Sequence, residues 1–404
     1  MHSSAAAAAI SSPSSLAASG ATRSIVTFSY FTLIVYLSVG LPLAVLPAFV
    51  HLRMGMHAAL AGLVISIQYI ATFLSRPWAG RISDKAGAKI SVLWGMAACA
   101  LSGFFLLAAV ALHFSATLTF GALVMSRLAL GVGESLGSTG ATLWGISSAG
   151  SQHTAKVISF NGVATYGGLA LGAPLGVVLD QHWGLTALGL LTIVLGGASL
   201  VLAQRKSPVP VMPGEHLPFH DVLTRIAPHG MALALGGIGY SVLATFVTLY
   251  YISRHWDQNG AALCLSAFGV AFIAARLLFI QAINRWGGFP VSIVCLSVES
   301  AGVLLMWAAG SPWMASAGAA VTGFGFSLVF PALGVEAVKR VPEHNRGTAL
   351  GVFTGFSDVS FFLVGPIAGA VIGAWGYGSA FLFALGSVLA ALGIVLVLRK
   401  LQKD

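Results

Sequence analysis

RPWAGRISDKAG, residues 76–87, can be laid over RLLFIQAINRWG, residues 276–287. Arg76 then meets Arg276, Asp84 meets Asn284, Lys85 meets Arg285 and Gly87 meets Gly287, all at an offset of 200 residues. Further pairs fall in the same order. GAPLGVVLDQHWG (172–184) lies over VGPIAGAVIGAWG (364–376), matching Pro174 with Pro366 and Trp183-Gly184 with Trp375-Gly376 at an offset of 192. LGVGES (130–135) lies over TGFGFS (322–327) and repeats a Gly-x-Gly at the same offset of 192. With 49 glycines in the chain, each match alone is weak. Three in one order at nearly one offset mark an internal duplication, the feature to establish before any other.

What is duplicated is a set of membrane spans. The 404 residues are 57% hydrophobic and only 8% charged, with a mean hydropathy of +0.91. Soluble domains carry about 25% charged residues, so this composition excludes a soluble enzyme. Twelve apolar runs are long enough to cross about 30 Å of hydrocarbon: 25–49, 58–80, 90–112, 117–140, 157–180, 185–203, 230–252, 261–283, 289–309, 312–334, 347–372 and 378–398. Each should be helical, because in lipid a segment must satisfy its own backbone. The proline-rich, mixed-charge segment QRKSPVPVMPGEHLPFHDVLTR (204–225) follows the sixth run. It divides the chain into a first six-helix bundle over 23–204, a central loop at 205–227 and a second bundle over 228–404. Residues 1–22 are Ala- and Ser-rich and uncharged, with no basic region ahead of an apolar core, and read as a disordered tail rather than a secretory signal.

If residue 1 is cytoplasmic, fifteen of the twenty Lys and Arg fall on the cytoplasmic side, including Arg81, Lys85, Lys89, Arg205, Lys206, Arg346 and Arg399. Only Arg53 and Arg254 fall outside. Both termini are then expected in the cytoplasm, and topology accounts for the net charge of +9 without a nucleic-acid partner. Cys99, Cys264 and Cys295 all lie within spans and read as packing residues, not a disulfide framework.

GRISDKAGAK, residues 80–89, joins the second run to the third. Gly80 and Gly87 allow a tight turn and close helix approach. Asp84 is placed to accept backbone donors at a helix N-terminus or to pair with Arg81 or another cation. Here the chain resembles the major facilitator superfamily, whose loop motif is Gly-x-x-x-Asp-(Arg/Lys)-x-Gly-x-(Arg/Lys)-(Arg/Lys). Gly80, Asp84, Lys85, Gly87 and Lys89 match, and Ile90 replaces the last basic residue. Asn284, Arg285 and Gly287 form the degraded second copy. The resemblance covers about residues 24–400. It implies an all-α membrane protein of twelve transmembrane helices in two pseudo-symmetric bundles, with this motif as a cytoplasmic gate.

Ionisable groups at membrane depth are costly and mark a cavity or an internal pair. Arg127 and Glu134 share a face of the fourth run, about 10 Å apart along the helix. The family often carries Arg-x-x-x-Gly-x-Gly in this span, which Arg127, Gly131 and Gly133 fit, so the resemblance places both groups in the central cavity as substrate or coupling residues. Asp358, halfway along the eleventh run, suits a proton carrier, since desolvation and a nearby cation act on it in opposite senses. A distance-changing Arg127–Asp358 contact is expected. Gln68 and Asn161 are expected to point inward, because an unpaired amide in lipid is expensive, and Tyr36 is a further candidate. Glu299 reads as a packing partner, Arg76 and Arg276 as side chains that snorkel to the cytoplasmic surface, and Asp180 as solvated near an outer end.

GGLALGAPLG (167–176) holds Gly172 and Pro174 at a helix bend, echoed by Gly365 and Pro366. Family exporters often carry Gly-x-x-x-Gly-Pro-x-x-Gly-Gly there, a partial match. There is no Walker-type phosphate loop, no metal-ligand spacing and no cofactor motif. The expectation is a monomeric inner-membrane carrier of the drug and sugar efflux branch, similar to arabinose-efflux-type permeases. It would exchange protons for a small organic solute such as a sugar, drug or metabolite. Proton-linked uptake of a sugar or organic acid is the rival within the class. A non-transporting receptor or assembly partner is the rival outside it.

Overall fold

The computed structural model describes residues 13–402 apart from 44, 57, 212, 213, 215, 216 and 280. Every regular element among them is helical. The first half comprises α1 (Pro13–Leu43), α2 (Ala58–Lys85), α3 (Ala88–Ala111), α4 (Ala116–Ala149), α5 (154–183) and α6 (185–204). The second comprises α7 (Phe219–Ser253), α8 (Gln258–Leu278), α9 (Gly288–Trp307), α10 (Pro312–Phe326, continued by Val329–Val338), α11 (Arg346–Trp375) and α12 (Gly378–Leu401). The expected tail lies only partly among the described residues. Residues 1–12 fall outside them, and α1 begins at Pro13 rather than near residue 23.

Nine helical stretches among the described residues are long and apolar enough to cross a membrane. One of these, Ser151–Gln204, reverses at Gly184 (φ 68°, ψ −172°) and supplies both α5 and α6. α2, which ends in the charged GRISDK segment, and α8, whose apolar stretch is Leu263–Leu278, complete the twelve. The exterior is that of a lipid-facing bundle, with Trp78, Trp94, Phe104, Val270, Leu278 and Trp313 exposed.

The duplication read from sequence recurs in backbone geometry. The matched pair Gly87 and Gly287 turn with φ of 99° and 84°, and Gly184 and Gly376 with φ of 68° and 81°. A side chain pays steric energy in that region and glycine does not. Helix pairing repeats as well: α1 packs on α5 as α7 packs on α11, and α2 on α4 as α8 on α10. At equivalent crossings, Gly131 lies against the Gln68 carbonyl and Gly323 against the Phe268 carbonyl. Such contacts bring backbones together where apolar burial gives no drive, since lipid is as apolar as the helix.

The two halves meet most closely where α2 runs beside α11. A Cβ on Gly80 would sit 2.6 Å from the Gly347 carbonyl oxygen and from the Thr348 Cα, and one on Gly351 would sit 2.6 Å from the Arg76 carbonyl. This seam lies at the end carrying the GRISDK motif. The central segment is held at that same end, where Lys89 donates to the carbonyls of Gln204 and Lys206, both at 2.8 Å.

Candidate functional site

The seam is tied by one carboxylate. Asp84 Oδ1 accepts from the Gly347 N–H at 2.7 Å, and Oδ2 accepts from the Thr348 N–H at 2.7 Å and the Thr348 hydroxyl at 2.6 Å. The first N–H groups of a helix have no internal partner and carry its positive dipole end. Asp84, from the first half, therefore caps α11 of the second. The helix terminus is one of the partners expected for it. Arg81 instead lies over the Phe219 ring at 5.3 Å, and Lys85 lines a polar recess with Arg81, Asn345 and Thr348. In the second copy of the motif, Asn284 and Arg285 are exposed, with Arg285 over the Trp286 ring.

Deeper along the same seam lies a buried charge cluster. Arg76 donates from Nε to Asp358 Oδ2 at 2.9 Å, from Nη1 to Ser138 Oγ at 2.8 Å and from Nη2 to Glu134 Oε1 at 3.5 Å. Glu134 Oε2 accepts from Gln68 at 2.8 Å and from Thr72 at 3.1 Å. Arg76 is 2% exposed, so the expected snorkelling is corrected. Reaching the surface would leave both acids bare, which costs more than desolvating the guanidinium beside them. The expected Arg127–Asp358 contact is likewise corrected, because Arg76 holds that place. Arg127 is fully buried, and none of its three nitrogens has a hydrogen-bond partner. Depth along α4 was legible in the sequence; the direction Arg127 takes around the helix axis was not.

Arg276, the repeat mate of Arg76, is also 2% exposed, again against expectation. It donates from Nε and Nη2 to the Ser327 carbonyl (3.1 and 2.7 Å) and from Nη1 to the Ser159 carbonyl (3.1 Å), and it stacks on Phe272 at 4.7 Å. The Ser327 carbonyl is available because Pro331, four residues on, has no N–H to give it. α10 is broken there for the same reason.

Between the halves, Arg76, Asp358, Arg276, Asn161, Tyr36 and Tyr166 line a cavity of about 130 Å³. A second cavity of about 300 Å³ shares Tyr36, Tyr166 and Asp358 and reaches Glu134, Tyr69 and Tyr240. Asn161 Oδ1 accepts from Thr32 at 2.6 Å, while its Nδ2 has no partner. Among the expected inward-facing groups, Glu134, Asp358, Gln68, Asn161 and Tyr36 thus gather at the cluster and cavities, and Arg127 lines neither cavity. Reading the sequence missed Arg76, Arg276, Thr72 and Ser138 as members. The matched arginines of the repeat were the signal that would have found the first two.

Glu299 is fully buried, with both carboxylate oxygens unpartnered, and lies against Gly239. Asp180 pairs with Arg53 at 2.6 Å at the end opposite the motif. Gly172 is required where α5 crosses α1, since a Cβ there would sit 2.7 Å from the Leu37 carbonyl. Pro174 and Pro366 lie inside their helices, and Gly365 borders open space.

The sequence profile of the Major Facilitator Superfamily matches residues 28–224 and 230–404. The chain is 53% identical over 379 residues to an uncharacterized MFS-type transporter of Pseudomonas aeruginosa, covering 94% of each. It is 51% identical over 384 residues to one of Burkholderia pseudomallei, covering 95% of this chain and 93% of the other. Among solved structures, the human organic anion transporter MFSD10 superposes with a TM-score of 0.76 at 18% identity, over 92% of this chain and 99% of that one. The proton:xylose symporter XylE gives 0.75 at 14% identity, over 93% and 95%. At these identities the structures speak for the fold alone.

Proposed function

We propose that this chain, which belongs to the major facilitator superfamily and so is a membrane transporter, moves a small organic solute by alternating access in exchange for protons. The observation that carries this reading is the Arg76–Asp358 pair, 2.9 Å long, which joins the halves beside the central cavity. Rocking one half against the other separates α2 from α11 and breaks both that pair and the Asp84 cap. A proton on Asp358 weakens its hold on Arg76, so proton occupancy and conformation bias one another. Glu134, on the other side of Arg76, takes up the guanidinium when Asp358 lets go.

The two six-helix bundles are joined by the central segment at 205–218, shorter than the expected 205–227 because α7 begins at Phe219. The motif end and both termini are cytoplasmic, in keeping with the Lys and Arg distribution, and the bacterial relatives point to the inner membrane. Export is favoured by the partial match of Gly172 and Pro174 in α5 to the pattern of the family's exporters. Proton-linked uptake is the second reading. One observation favours it: Arg276 lines the cavity with no acid within salt-bridge distance among the described residues, so protonating Asp358 leaves the cavity positive and suits a solute anion entering with the proton. Purified protein in proteoliposomes, loaded with a broad solute panel and given an imposed proton gradient, tests the coupling. Solute movement that follows the gradient supports it, and its sign separates export from uptake. Indifference of every solute to the gradient refutes it.

A further inference from the structure

Resting on the carrier reading, we infer that Arg276 anchors the transported solute, and that the solute is a small organic monoanion: a carboxylate on an apolar or aromatic body. The duplication itself makes the argument. At the offset of 192, Phe326 stands where the first half has Glu134, Tyr166 where the second has Asp358, and Phe330 where the first has Ser138. Arg276 stands where the first half has Arg76. The guanidinium is thus kept by both halves, and the acids, one from each half, gather at Arg76 alone. Tyr166, Phe326 and Phe330 line the same cavity as Arg276.

Arg276 has a cavity-facing charge with no carboxylate within salt-bridge distance among the described residues. Its acceptors are two neutral carbonyls, Ser327 and Ser159, and three of its five N–H groups are used. A buried cation without a counter-ion is expensive, and an anion from outside the chain supplies what the repeat lost. A second donor faces the same space: Asn161, 6% exposed, has an unpartnered Nδ2. The backbone is also shaped for this guanidinium, because a Cβ on Gly162 would overlap Arg276 Nη1.

The remaining walls set the rest of the class. Phe272, Phe326, Phe330 and Tyr166 give an aromatic lining, and the cavity of about 130 Å³ opens beside one of about 300 Å³, so the body is small and apolar. Arg76 and Arg276 together balance Asp358 and Glu134, so a proton on Asp358 leaves one positive charge lining the cavity and hence calls for one negative charge on the solute. Arg127 also lacks partners, but it lines neither cavity and meets no solute.

Binding to the purified full-length chain tests this with benzoate, phenylacetate and isovalerate, each paired with its neutral primary amide. At least one acid should bind at least about tenfold more tightly than its amide, the scale of a charge-assisted hydrogen bond. Arg276→Gln should weaken that acid about tenfold or more. Tyr166→Asp, which restores an acid beside Arg276 from the first half, should do the same while leaving Arg276 paired, so the test survives a poorly folding Arg276 variant. Amides that match their acids, no binding by any acid, or acid binding that persists in Tyr166→Asp would overturn the assignment. The proton-gradient experiment is scored on solutes of any charge, so a carrier of neutral solutes fails here and passes there.

Discussion

Replacing Asp84 with Asn keeps shape and volume and removes one charge. In the parent, one carboxylate accepts three hydrogen bonds of 2.6–2.7 Å from the start of α11. Asn keeps one acceptor oxygen and turns an NH2 toward the other donor. Hydrogen bonds to a charged group are worth about 1.5–3 kcal/mol against about 0.5–1.5 for neutral ones, and an anion at a helix N-terminus adds about 0.3–1 kcal/mol. The arrangement with the motif end joined should therefore lose about 2–3 kcal/mol, a roughly 30- to 150-fold shift toward the separated one. Thr354 lines the cavity, and the native Cys99, Cys264 and Cys295 are all buried. A Thr354→Cys reporter, labelled by an impermeant maleimide offered from the motif side, reads this population. Labelling should accelerate by that factor in Asp84→Asn. A rate within about twofold of the parent, in protein that remains folded, would refute the claim that this cap holds the halves together.

Gly80→Ala should push the same equilibrium the same way, by about 1–3 kcal/mol, because its Cβ would meet Gly347 and Thr348 backbone at 2.6 Å; the same labelling reads it. Asp358→Asn leaves Arg76, among the described residues, with Glu134 at 3.5 Å as its one acid within salt-bridge distance. Removing one partner of a buried pair costs about 3–5 kcal/mol, so the melting temperature should fall and proton-driven flux should vanish, while solute exchange in the absence of a gradient persists. Arg127→Met removes a buried guanidinium that has no hydrogen bond. It should raise the melting temperature and lower turnover, the trade expected where a strained group is kept for function. Pro331→Ala returns an N–H to the Ser327 carbonyl in competition with Arg276. It should stabilise α10, by up to about 3 kcal/mol, and loosen Arg276, seen as weaker binding of the acid probes.

The architecture was readable because lipid leaves a chain few options: span lengths, paired glycines and the Lys and Arg bias each follow from local composition. Asp84 stood out too, as a carboxylate between a close-approach glycine, Gly80, and a turn glycine, Gly87, beside a helix end. The pairing at the centre was not. Arg76 and Asp358 are 282 residues apart in sequence, and their meeting depends on the rotation of α2 and α11 about their axes after the halves dock. Hydropathy gives the depth of a side chain and not its azimuth, so Arg127 and Arg76 looked like interchangeable partners for Asp358. The break in α10 was half legible: Pro331 announces a freed carbonyl, but which donor fills it depends on Arg276 crossing from α8.

The reversal at Gly184 has a practical side. On the face away from the motif, α5 passes into α6 through one glycine, and Gly376 with Tyr377 alone separates α11 from α12. At those two tips the chain offers antibodies, crystal neighbours and proteases little to hold, and the polar handles of that face lie elsewhere, at Arg53 and at Arg254 with His255. A tag meant for the junction of α5 and α6 has a single residue to enter by, and lengthening the tip at Gly184 is the way to make room for it.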